Sequence, residues 1–255
     1  MNIRLVPIGD FVEPVQTWNP AAIPYSTFNY VDLSAIDQIE KQIKFAVPVR
    51  GSEVPSRARQ LIRTGDILVS TVRPNLNGAA PVTDTFDGAT ASTGFCVLRP
   101  RSERLSSNYL MHWVRSPLFV DRMVREATGA SYPAISDRII KASHIPLPPI
   151  DEQWRIAAIL DRADALRRKR RFAGKLLDSL TQSIFVAMFG DERSSPYGIK
   201  ILDAITDKIT DGAHFTPTYV DSGVPFLRVT DIQDETIDWQ SVKYIPEEEH
   251  ENLIL

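Results

Sequence analysis

The chain is poor in the residues that make small proteins covalent or metal-bound. Cys96 is its only cysteine, which excludes a disulfide framework and a cysteine-rich metal site. Its setting, Phe95-Cys96-Val97-Leu98, reads as core. Four histidines, His112, His144, His214 and His250, are scattered without metal-ligand spacing. No glycine-rich phosphate loop occurs, and Glu247-Glu248-Glu249-His250-Glu251 is a charge run rather than a His-Glu-x-x-His helix. Catalysis by this chain is not expected, because no titratable cluster is fixed by the pattern. No apolar run approaches the roughly 18 residues of a membrane span. The first residues, MNIRLVPIGDF, lack the apolar centre of a signal peptide. A cytoplasmic protein is the expectation.

What is present is unevenly distributed. The net charge of −3 over 255 residues conceals an asymmetry. Residues 1–150 carry 16 Lys/Arg against 13 Asp/Glu, residues 151–190 carry 8 against 5, and residues 191–255 carry 5 against 14. The segments are therefore +3, +3 and −9. A mildly basic body suits a nucleic-acid binder, although such an excess is also ordinary surface chemistry.

The organising stretch runs from Ser143 to Phe189. Pro148 and Pro149 stop any helix arriving from upstream. Asp151 and Glu152 then place negative charge where a helix N-terminus favours it. Beyond them, Ile156, Ile159, Ala163, Leu166, Arg170, Ala173, Leu177, Leu180, Ile184 and Ala187 recur at steps of three and four. Only Arg170 breaks this coiled-coil seam. Such a helix over 151–189 spans about 58 Å at about 1.5 Å per residue. Its seam needs a partner helix, and the rest of the chain offers none. Leu160, Leu176 and Met188 add a second apolar line. The run Arg167-Arg168-Lys169-Arg170-Arg171 contacts phosphate or an acidic partner, or is simply a solvated face.

Upstream, Ile3–Ile8, Phe28–Leu33, Ile43–Val49, Ile67–Val72, Ala79–Val82 and Gly94–Leu98 read as strands. Ser52–Ile62 reads as a short helix or turn. After Pro100 the period changes, and two helices broken at Ser116-Pro117 are expected, with a third short one from Ser136 to Ala142. Residues 1–150 thus form one α+β domain. After the helix, Gly190–Gly198 has linker composition. The elements then begin again: Phe226–Ile232 lines up with Phe28–Leu33 at an offset of 226 − 28 = 198 residues, and Asn252–Leu255 falls where Arg59–Ile62 sits. A duplicated unit is expected, with its second copy cut short.

Several of these stretches resemble one family. Ile145–Ile156 (IPLPPIDEQWRI) followed by Ile159–Arg171 (ILDRADALRRKRR) is similar to the conserved region of type I restriction-modification specificity subunits. Thr128–Ser136 (TGASYPAIS), Thr64–Ser70 (TGDILVS), and Asp211–Pro217 (DGAHFTP) leading to Pro225–Val229 (PFLRV) resemble other parts of that family. The resemblance implies a first target recognition domain over 1–150 and a spacer helix over 151–190. It also implies the start of a second recognition domain over 191–255, truncated at Leu255. It further implies a non-catalytic subunit that binds double-stranded DNA at a split site and docks methylation subunits and restriction/translocation subunits. S-adenosylmethionine, ATP and Mg²⁺ would lie on those partners. With one spacer helix, an antiparallel homodimer through residues 151–190 would restore two readers and call for a palindromic split target. The alternative is a helical assembly module that binds methylation subunits or itself without reading DNA.

The residues suited to reading DNA are loop donors. Arg73, Asn75 and Asn77 follow the Gly65-Asp66-Ile67-Leu68 strand; Arg forks onto guanine and Asn onto adenine. Ser131 and Tyr132 suit phosphate, and Arg50, Arg57 and Arg59 are further basic candidates. Each also has a plain structural reading: Asn75 and Asn77 as turn residues, Tyr132 as packing. Thr210, Asp211, His214 and Thr216 occupy a similar loop later in the chain.

Overall fold

The structure, a computed structural model, describes residues 4–190, 200–207, 215–233 and 236–254. By internal packing the chain divides into two units, Met1–Leu180 and Thr181–Leu255. No helix among the described residues is long and apolar enough to cross a membrane.

The first unit is built on an antiparallel sheet ordered Val12–Glu13, Phe95–Pro100, Ile67–Ser70 and Ala79–Pro81. The two central strands pair with Cys96 opposite Val69 and Val97 opposite Leu68. Side chains alternate across a sheet, yet Ile67–Val69 and Phe95–Leu98 are continuously apolar, because both faces are covered. Ile67, Val69, Cys96 and Leu98 join Leu110, Val114, Phe119 and Ile140 from the helices. Leu68, Phe95 and Val97 join Val31, Ile36, Ile62 and Ala91 on the other side. Those last residues belong to a second sheet and its connections, ordered Val47–Arg50, Thr27–Val31, Thr90–Ser92 and Ala58–Leu61. The helices are α1 (Ser107–Val114), α2 (Pro117–Glu126) and α3 (Asp137–Ala142). Ser106 and Ser116 cap the first two through their hydroxyls, which accept from Tyr109 N and Phe119 N; Ser136 makes no such bond.

Two expectations need correction. Ser52–Ile62 is a single turn of 3₁₀ helix at Gly51–Glu53 followed by the strand Ala58–Leu61. Pro55 blocks a longer helix, and the core burial of Ala58 and Ile62 draws the segment into the second sheet. Ile43–Val49 is not one strand. Gln42–Ile43 closes a hairpin on Ile36–Asp37, whereas Val47–Arg50 pairs with Thr27–Val31.

The proline knuckle is a structural joint. His144–Pro146 pairs antiparallel with Leu5–Pro7, tying the start of the chain to the base of the long helix α4 (Ile150–Phe189). At 40 residues, α4 is about 60 Å long.

The second unit repeats part of the first. Thr27–Val31, a 3₁₀ turn, a hairpin and Val47–Arg50 have counterparts in Val224–Phe226, a 3₁₀ turn, a hairpin and Lys243–Ile245. Tyr30 faces Val47 in the first and Phe226 faces Lys243 in the second. The offset is therefore 226 − 30 = 196, and 243 − 47 gives the same value. The 198 expected from side-chain similarity is two residues out of register. A backbone bond recurs with its acceptor at the same offset: Lys44 N donates to Ala35 O, and Asp238 N to Asp231 O, the donor falling 194 residues on. The hairpin itself is two residues shorter in the second copy, since Ile36 pairs Ile43 but Ile232 pairs Ile237. The likeness ends after Ile245. Residues Glu247–Ile254 form helix α5, so Asn252 to Ile254 are helical where Arg59 to Leu61 are strand. Buried Asp231 holds this unit's turn by accepting from Arg228 N and from the Arg228 guanidinium at 2.6–3.0 Å, and from the Ser241 hydroxyl at 2.9 Å.

Candidate nucleic-acid interface

Two loops of the first unit are laced together. Arg73 N donates to Pro133 O at 2.7 Å, Ile135 N donates to Thr71 O at 2.8 Å, and Val72 bridges Ala134. Arg73 has φ 49°, a left-handed conformation that costs an L side chain about 1–2 kcal/mol. What holds it there is its bond to Pro133 and a stacked side chain: the Arg73 guanidinium lies 4.5 Å from the centroid of the Tyr132 ring. Tyr132 is 68% exposed, so the pair faces solvent. Strain held in place by surrounding structure is typical of functional positions. The opposite loop needs Gly129, at φ 102°, where a Cβ would stand 2.9 Å from Tyr132 O. Beside Arg73 an apolar recess of about 240 Å³ is lined by Leu33, Ile36, Val72, Leu76 and Phe95, with Gln38 at its rim.

The other expected residues divide. Asn75 and Ser131 are exposed in these loops. Asn77 is turned inward: its side-chain amide donates to Arg115 O at 3.2 Å, while its backbone carbonyl accepts from the Lys41 ammonium. Its φ of 47° fits the turn-residue reading. Arg50 ends one edge strand of the second sheet and is exposed. Arg57 is also exposed, just before the opposite edge strand, whereas Arg59 on that strand is tied to Ser56 O and the Asn19 side chain. Thr216 is exposed; Thr210, Asp211 and His214 lie outside the described residues.

Helix α4 has two unlike faces. Its base is rooted in the first unit through Gln153, which has no exposed surface. The Gln153 oxygen accepts from Ser106 N at 3.0 Å, and its amide donates to Arg104 O and Pro148 O at 3.1 and 2.9 Å. Ala157 is buried one turn on, and Ile156 packs beside it on the core. Further out the contacts become ionic. Asp161 takes His112 at 2.8 Å, Asp164 takes Arg115 at 2.6 Å, and Arg171 takes Glu40 at 3.0 Å. Burial acts to raise the Asp164 pKa. The Arg115 hydrogen bond and charge, helped by His112 and Arg167, outweigh it and hold the carboxyl below its ordinary range. The seam points elsewhere. Ile159, Ala163, Leu166, Arg170, Ala173, Leu177, Leu180 and Ile184 are all exposed, Leu177 by 67%. Sequence periodicity identified this apolar line but missed the polar anchors Gln153, Asp161 and Asp164, whose partners Ser106, His112 and Arg115 lie 47–49 residues upstream.

Residues 51–171 match the family model of the type I restriction modification DNA specificity domain, which covers both laced loops and the root of α4. The chain is 24% identical over 153 residues to the EcoDI specificity subunit of the type I restriction enzyme of Escherichia coli, 58% of this chain and 33% of that protein. It is 23% identical over 141 residues to the HindI specificity subunit of Haemophilus influenzae, 54% of this chain and 31% of that one. The crystal structure of the HsdS subunit from Thermoanaerobacter tengcongensis matches at 35% identity and TM-score 0.60, covering 78% of this chain and 51% of that chain. A chain from a structural study of assembly and conformational transition in the type I R-M system matches at 32% identity and TM-score 0.68, covering 91% and 62%. Residues 51–171 thus match the specificity domain, and the chain resembles type I restriction-modification specificity subunits. It spans about a third of the length of these curated relatives.

Proposed function

We propose that this chain is the DNA-reading, non-catalytic subunit of a type I restriction-modification complex in the cytoplasm, directing adenine methylation and restriction to a split DNA site. The observation that carries the reading is the Arg73–Tyr132 pair, held in a strained loop conformation and presented to solvent inside the specificity domain. A guanidinium fixed in this way can fork onto guanine in the major groove. The apolar recess beside it suits a thymine methyl or a sugar edge. Asn75 and Ser131 flank it as further donors, and Arg50 and Arg57 serve phosphates. Methylation and restriction/translocation subunits supply the chemistry and hold S-adenosylmethionine, ATP and Mg²⁺.

The exposed seam of α4 supports a second element of the reading: it docks the methylation subunits or a second copy of this chain, antiparallel through residues 151–190. The same seam favours a rival reading, an assembly module that does not read DNA. Mapping modified adenines after co-expression with the methylation subunit separates them. A palindromic split motif that disappears in Arg73→Ala, with assembly retained, supports the reader. Assembly without any new methylation supports the module.

A further inference from the structure

We propose that the cleft where α4 leaves the first unit binds the DNA phosphate backbone, extending the contact made by the Arg73 loop. This rests on the DNA-reading function proposed above. The cleft, about 400 Å³, lies between α4 and the end of α1. Lys41, Arg115 and Arg167 line it, and Arg168 and Arg171 continue it along the helix. Glu40, Asp161 and Asp164 are the carboxylates that face these five cations.

Every one of those carboxylates is already taken. Asp164 accepts from Arg115 at 2.6 Å and lies 3.5 Å from Arg167. Asp161 accepts from Asn108 at 3.2 Å and sits 2.8 Å from His112, and Glu40 is 3.0 Å from Arg171. Lys41 and Arg168 form no ion pair among the described residues, and Asp37, which also acts on Lys41, is 3.1 Å from Lys44. Lys41 is held in an unfavourable place for a cation. Burial, then the neighbouring Arg115 charge, keeps its pKa below the ordinary lysine value, only partly offset by Asp37. A bound anion would relieve that repulsion.

The form of the cleft selects the anion. The Lys41 ammonium donates to the carbonyl of Asn77, the residue at the foot of the Arg73 loop, so the cleft is continuous with the candidate reading surface. Lys41 lies at the loop end, and Arg115, Arg167, Arg168 and Arg171 line the recess where the cleft meets α4. Arg167, Arg168 and Arg171 span only about 6 Å of helix rise. A row of this kind suits a run of phosphodiesters, contacted without regard to base.

The test is a salt titration of the full chain against a fluorescein-labelled mixed-sequence duplex, between about 50 and 200 mM salt. Arg168→Gln removes an exposed, unpaired cation and leaves the fold intact. It should make the plot of log affinity against log salt shallower by about 0.9, so that affinity falls about 3.5-fold less across that range. Arg167→Gln with Arg168→Gln should remove about twice that slope. Lys41→Gln should behave like Arg168→Gln, and Lys41→Arg should restore the slope. Binding should weaken equally on all sequences. If the unaltered chain binds the duplex and all variants keep its slope, the cleft proposal is overturned and the reading loop stands. If the unaltered chain shows no salt-dependent binding, both readings fall. Unchanged slopes with reduced retention on immobilised polyglutamate would assign the cleft to acidic polypeptide, which also overturns the proposal.

Discussion

Gln153 has the properties of a keystone: a neutral side chain with no exposed surface and three backbone partners from two other segments. Removing it orphans the Ser106 amide and the Arg104 and Pro148 carbonyls. Each unsatisfied buried group costs about 1–3 kcal/mol. Gln153→Ala should therefore lower the stability of the first unit by about 2–4 kcal/mol in chemical denaturation, and Gln153→Glu should not restore it, since Glu lacks the amide donors. Asp66 and Arg99 form a bidentate pair at 2.7–2.8 Å with the carboxylate 1% exposed. Breaking a buried pair from one side costs about 3–5 kcal/mol, so Asp66→Ala is the stronger of the two lesions in the same assay. Gly65-Asp66 was legible as turn chemistry, and Asp66 does accept from Arg63 N to close that turn. Its larger task was not legible, because Arg99 lies 33 residues away and no local pattern announces a partner at that distance. The same limit applies to Asn77. It looks like a reading residue in sequence, and only its bonds to Arg115 and Lys41 show that it fastens the loop from below.

Among the elements, α4 was the most legible. The helix expected over 151–189 is Ile150–Phe189, one residue longer at its start, because prolines and a long apolar period are both local signals. Past Ile156, which packs on the core, its seam leucines do not contribute to the fold of the single chain, as Leu166, Leu177 and Leu180 are exposed. Leu177→Glu should leave the unfolding free energy of the isolated chain unchanged within about 0.5 kcal/mol in chemical denaturation. It should abolish self-association or docking of methylation subunits in analytical ultracentrifugation. The opposite face should respond to acid. Asp164 is depressed below its ordinary value of 3.8 in the folded state. Its stabilisation is therefore complete above that value and is lost as pH falls through the lower, folded value. Hydrogen exchange of α4 amides near Asp161–Arg171 should accelerate in that acid window, before the sheets open, and Asp164→Asn should show the acceleration at neutral pH.

For the chain as a whole, the repeat matters most. Similar side chains suggested an offset of 198, but strand register gives 196. Side-chain likeness between β segments tolerates a slip of two, since a two-residue shift keeps the same face inward; hydrogen-bond register does not. The repeat also predicts independence. Asp231 secures only the second unit's turn, so Asp231→Ala should raise exchange at Val224–Phe226 and Lys243–Ile245 while leaving Ile67–Ser70 protected.

A helix that shows a line of leucines to water has a consequence for the life of the protein in the cell. Burial by a partner stabilises whichever species carries the partner, by an amount that grows with the partner's concentration. Until then the seam is what chaperones and proteases meet. The amount of this chain should therefore follow the supply of whatever covers α4, rising when that component is co-produced and falling when it is withdrawn. The leucines from Leu166 to Leu180 would then act as a gauge of assembly, matching the amount of this chain to the amount of whatever covers them.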